Sequence, residues 1–90
     1  MRCHVVVRGR VQGVGFRWFV REQARRLDVA GWVRNRADGC VEVAAEGPDD
    51  SIEALRRALQ SGPPGAAVAA VDDVDDDALD PLDRPFIILK

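Results

Sequence analysis

No apolar run in this sequence approaches the roughly 20 residues that a membrane-spanning helix needs. The opening Met1-Arg2-Cys3-His4-Val5-Val6-Val7 is too short in apolar residues to serve as a secretory leader. No membrane partner is expected, and the cytoplasm is the expected location. Cysteine is scarce. Cys3 and Cys40 form neither a CxxC pair nor a metal-ligand spacing, and in a reducing compartment they are expected to be free thiols near strand ends. The single histidine, His4, has no second histidine with which to hold a metal. Neither metal nor cofactor is therefore expected. Lys90 is the only lysine, a bias that reads as genomic base composition and carries no functional conclusion. A strong positive charge is missing too: the formal net charge is −2, which speaks against a dedicated nucleic-acid binder.

What is present suits a soluble globular protein. Apolar residues make up 47% of the chain and charged residues 31%. Ninety residues make one domain, 1–90, with a modest core built from one sheet and a layer of helices. The charge is unevenly spread. Nine arginines and only two acids, Glu22 and Asp28, lie between Arg2 and Arg36, whereas seven aspartates and no base lie between Asp72 and Asp83. A positive first half suits an anionic small-molecule substrate, and equally suits a polarised surface with no role.

Cys3 to Arg8 reads as a strand, because Val5, Val6 and Val7 favour the pleated conformation. A loop with three glycines follows over Gly9 to Gly15. Phe16 to Leu27 reads as an amphipathic helix with Phe16, Val20, Ala24 and Leu27 on one stripe. Gly31 to Arg36 and Cys40 to Glu46 form a hairpin. Pairing Val33 with the apolar set Val41, Val43 and Ala45 needs a loop with an odd number of residues, and Ala37-Asp38-Gly39 supplies it. That register sets Arg34 opposite Glu42 on the outer face. Asp49 to Ser61 reads as a second helix with Ile52, Leu55, Ala58 and Leu59 as its stripe, ended by Gly62-Pro63-Pro64. Val68 to about Val74 and Phe86 to Leu89 read as further strands. The predicted fold class is α+β: a ferredoxin-like βαββαβ (split βαβ) sandwich, an antiparallel sheet with two helices on one face and a short extra C-terminal strand.

The stretch Gly9-Arg10-Val11-Gln12-Gly13-Val14-Gly15-Phe16-Arg17 leads from a strand straight into a helix. Its glycines let backbone N–H groups converge on one point, and the helix N-terminus adds free N–H groups and partial positive charge. Together they form an anion cradle. Arg17, in the first helical turn, can reach the same anion with its fork of donors. A nucleotide P-loop is excluded because no Gly-Lys-Ser/Thr ending is present, and a dinucleotide fingerprint because Trp18 occupies the place of the third glycine. In the second stretch, Gly31-Trp32-Val33-Arg34-Asn35, the Asn35 amide shares a face with Val33. Two readings are open: Asn35 caps its own hairpin turn, or it holds a water beside a bound phosphate.

Taken together, Gly9 to Arg17 and Gly31 to Val41 through Gly47 resemble the two signatures of the acylphosphatase family, in the family's order, with 18 residues from Arg17 to Asn35. The resemblance is close over the first half and looser through Gly62-Pro63 and Phe86-Ile87-Ile88. It implies hydrolysis of the carboxyl–phosphate bond of a small-molecule acyl phosphate to a carboxylate and inorganic phosphate. By it, Val11, Gln12, Gly13, Val14, Gly15, Phe16 and Arg17 bind the phosphate, while Arg17 and Asn35 are the catalytic residues, Asn35 orienting the attacking water. Inorganic phosphate or sulfate is then expected to compete with substrate, and the chain is expected to act as a monomer. The tail departs from the family in its acidic run, Asp72-Asp73-Val74-Asp75-Asp76-Asp77, and in ending on Lys90 without an aromatic or arginine. That run has neither the glycine nor the glutamate of an EF-hand and reads as a solvated loop. Trp18 and Trp32 are candidates for the rim of an acyl pocket, with partly buried packing as the plainer role. One competing reading is an accessory module of the same fold that binds phosphate or carbamoyl phosphate within a larger maturation enzyme. Another is RNA binding, but Val5-Val6-Val7 and Val41-Glu42-Val43 offer no aromatic platform, so no nucleic acid is expected.

Overall fold

A computed structural model describes residues 1–74 and 81–89. The acidic run beyond Val74 and the chain end at Lys90 lie outside the described residues. The elements run β1 (Arg2–Arg10), α1 (Phe16–Arg26), β2 (Ala30–Asn35), β3 (Val41–Glu46), α2 (Asp49–Ser61), β4 (Ala67–Asp73) and β5 (Ile87–Ile88). The strands form one sheet in the order β4-β1-β3-β2-β5. The first four are antiparallel, as the split βαβ pattern requires, while β5 runs parallel to β2 and makes the whole sheet mixed. The final strand is limited to Ile87 and Ile88, with Phe86 buried in the core instead of paired.

The hairpin register follows from its side chains. Val33 pairs with Val43, Arg34 with Glu42 and Asn35 with Val41. The three-residue turn is closed by the Arg36 N–H donating to the Cys40 carbonyl at 2.9 Å. Strand β1 continues past Gly9, where the sequence suggests a loop. Its register against β4 slips between Arg8 and Gly9, so the glycine sits in a β-bulge. A side chain at Gly9 would collide with the backbone of Ala67, and its φ of +125° also requires glycine. This bulge carries the chain two residues further, to the mouth of the loop.

Both helices lie on one face. Phe16, Val20 and Ala24 of α1 and Ile52, Leu55 and Leu59 of α2 pack on Val5, Val7, Val33, Val41 and Val43 of the sheet, with Phe86 closing the layer. Burial of each large apolar side chain contributes roughly 1.5–3 kcal/mol. Leu27 caps α1 instead of extending it, and Ala58 is only half-buried. On the opposite face Glu42, on a central strand, is buried. Burial opposes its ionisation most strongly. Hydrogen bonds with His4 Nε2 at 2.6 Å and Arg34 Nε at 2.8 Å nevertheless hold its carboxyl below the usual range.

Cys3 and Cys40 are both free and buried, as expected. Cys3 pairs with Ala45, whereas Cys40 directly precedes Val41, the partner of Val7. Five strand residues, roughly 17 Å at strand rise, separate the two levels, far beyond the ~7 Å Cα limit of a disulfide.

Candidate functional site

The loop between β1 and α1 is anchored at both ends by buried side chains, Val11 and Phe16. Between them Gly13 and Gly15 both have φ of 76°, and no non-glycine residue there has positive φ. Handedness thus alternates along the loop, the geometry that turns successive N–H groups toward one point. A Cβ at either glycine would meet nothing within 4 Å, so backbone conformation, not space, demands glycine here. Among the described residues, the N–H groups of Gly13, Val14 and Gly15 donate to no protein acceptor. Gly15 is also the N-cap of α1, which has no side-chain cap and no acid in its first turn. Nothing local therefore neutralises the positive end of the helix.

Arg17 stands in that first turn, half-buried, and pairs with no acid among the described residues. Asn35 ends β2 with its side chain exposed. The turn beyond it is capped by Asp38: one carboxylate oxygen accepts the Cys40 N–H at 3.1 Å and the other accepts Arg36 Nε at 3.2 Å. The hydrogen bond from the Cys40 backbone, with help from Arg36, keeps the Asp38 carboxyl below its ordinary range. The reading of Asn35 as the cap of its own turn is corrected: Asp38 holds that position, and among the described residues the Asn35 amide makes no hydrogen bond.

A cavity of about 390 Å³ brings these groups together. Gly13, Gly15 and Arg17 line it with Asn35, Val11 and Phe16 contribute to its wall, and Trp18 and Ile88 complete the lining. Trp18 is 58% exposed there. Trp32 is on the opposite face of the sheet, beneath the Arg34 guanidinium at 5.2 Å from its ring centroid, and has no access to the cavity. His4 also lies on that opposite face, edge-on to Trp32. Among the described residues no group of three His, Cys, Asp or Glu side chains is arranged to hold a metal.

Val14 and Gln12 do not line the cavity. Val14 packs on the core. The Gln12 amide donates to the Arg36 carbonyl at 2.8 Å and to the Cys40 carbonyl at 2.9 Å. It therefore ties the glycine loop to the hairpin at the residue after Asn35. From the sequence Gln12 either braces the loop or has no role; its side chain does brace the loop, with both acceptors on the hairpin, partners that the sequence does not name. We expect Gln12→Ala to cost about 1–2 kcal/mol of stability and to weaken inhibition by inorganic phosphate, as measured by urea denaturation and inhibition kinetics on one preparation.

Known proteins resemble this chain in sequence and fold. The acylphosphatase family model matches residues 3–88. An acylphosphatase of Salinibacter ruber is 56% identical over 71 residues, which cover 79% of this chain and 75% of that protein. The crystal structure of acylphosphatase from Bacillus subtilis superposes with a TM-score of 0.89 at 39% identity, covering 99% of this chain and 98% of that one. The HypF protein of T. kodakarensis contains a similar unit, with a TM-score of 0.79 at 33% identity; the match covers 99% of this chain and only 12% of HypF.

Proposed function

The chain belongs to the acylphosphatase family, whose activity is the hydrolysis of acyl phosphates, and we propose how this cavity performs that reaction. The N–H groups between Val11 and Arg17, with the Arg17 guanidinium, hold the phosphoryl oxygens. Asn35 holds a water for in-line attack. The water oxygen bonds to phosphorus as the bond from phosphorus to the acyl oxygen breaks. The carboxylate leaves with that electron pair, and the water's proton passes to a phosphate oxygen. A carboxylate is a stable leaving group and needs no general acid, so positioning and charge stabilisation suffice. The observation that carries this reading is the meeting of Arg17, Asn35 and the unpaired glycine-loop N–H groups in one cavity.

All these groups come from one chain and one domain, which supports action as a monomer. Two free buried thiols suit the reducing cytoplasm. Inorganic phosphate and sulfate, which match the phosphoryl group in shape and charge, compete for the cradle. The reading as an accessory module is the weaker one, because the relatives matched over most of their length are acylphosphatases in their own right. The test is steady-state hydrolysis. We expect benzoyl phosphate to be turned over in the presence of EDTA and p-nitrophenyl phosphate to be left largely intact. Comparable turnover of the monoester, or loss of activity in EDTA restored by magnesium or zinc, overturns the mechanism.

A further inference from the structure

A phosphoryl group fills only part of the 390 Å³ cavity, and the rest of its lining is not uniform. Val11 and Phe16 are buried in the core and offer little surface. The accessible apolar surface comes from Trp18, 58% exposed, and from half-buried Ile88. Trp18 follows Arg17 directly in the first turn of α1, so its indole stands within one residue of the group that holds phosphate. Ile88 reaches the same space from β5, which is paired with β2 beside Val33, two residues before Asn35. An indole with more than half of its surface exposed costs free energy in water, and a planar apolar ligand recovers part of that cost on binding.

Resting on the reading of this cavity as catalytic, we propose that Trp18, backed by Ile88, forms the acyl subsite and makes the enzyme selective for acyl phosphates with a flat apolar acyl group. An aroyl ring lies along the indole in offset or edge contact, whereas an acetyl group leaves most of the indole uncovered. Binding through the phosphate is common to both, so the difference shows as a ratio of kcat/KM values between substrates.

The experiment compares benzoyl phosphate with acetyl phosphate. Wild-type protein is expected to prefer benzoyl phosphate, and Trp18→Ala to lower the benzoyl-to-acetyl ratio of kcat/KM by about tenfold. Trp18→Phe, which keeps an aromatic face, is expected to retain most of the preference. The ratio is independent of the folded fraction, so a purely structural role for Trp18 leaves it unchanged. An unchanged ratio in Trp18→Ala overturns the acyl subsite. Arg17→Lys, measured alongside, separates the two levels. If Arg17→Lys is impaired and the Trp18→Ala ratio is not altered, only the subsite fails. If Arg17→Lys is as active as wild type, the reading of the cavity as catalytic fails with it.

Discussion

Asn35→Ala is expected to lower kcat by about 10²–10³ while KM and the melting temperature stay close to wild type. The kinetic half of this expectation follows from what each group touches. In the proposed mechanism the glycine loop and Arg17 grip the phosphoryl group in ground state and transition state alike, so they set binding. A water held by Asn35 contributes little until it attacks, and its loss is felt mainly in the transition state. The stability half follows from the hairpin. Asp38 accepts from the Cys40 N–H and Arg36 Nε, and Arg36 and Cys40 close the turn through their backbones. The Asn35 side chain is exposed and removing it breaks no hydrogen bond among the described residues. A destabilised but fully active Asn35→Ala protein would retire the water-positioning role, and thermal melts with steady-state kinetics on the same sample decide it.

Arg17→Lys is expected to lower kcat/KM by about 10²–10³ and to weaken inhibition by inorganic phosphate in the same variant. The charge is kept, so the effect isolates geometry. A guanidinium presents parallel donors that match two phosphoryl oxygens at once, whereas an ammonium is a compact point charge on a different stem. Arg17 has no acid partner among the described residues and no local group to satisfy, which leaves its donors for the ligand. Its neighbour on the helix, Arg21, is by contrast engaged with Glu22 at 3.3 Å. Lysine is a good helix former, so the helix survives the exchange. Kinetics close to wild type would reduce Arg17 to a surface residue at the rim.

The hairpin was legible in the sequence because two independent constraints agree. The alternation of Val33 against Val41 and Val43, and the odd length of Ala37-Asp38-Gly39, permit one register, and the strands adopt it. The helix faces were legible for a similar reason: Phe16, Val20 and Ala24 repeat at the helical period and meet the sheet. The bulge was not legible. A glycine after a strand reads as a turn, and only the approach of β4 to Gly9 shows that the strand continues. The parallel direction of β5 was likewise beyond local pattern, since two residues carry no orientation of their own. In the site, the sequence brings Arg17, Asn35, Gly13 and Gly15 together and they line one cavity, whereas the part of Asp38 in capping the hairpin turn was not visible in the local pattern around Asn35. Strand parity already assigned Trp32 to the face away from Val33 and Asn35, enough to remove it from the cavity rim. The Gln12 span of 24 residues to Arg36 is a tertiary contact that no spacing rule encodes.

The central claim is that a water held beside the cradle attacks phosphorus and not the acyl carbon. Hydrolysis of benzoyl phosphate in ¹⁸O-labelled water tests it directly, with the label located by mass spectrometry after a single turnover. In-line attack at phosphorus places the label in inorganic phosphate and leaves benzoate unlabelled. Label in the benzoate carboxylate would mean attack at the carbonyl carbon and would contradict the roles assigned here to both Asn35 and Arg17.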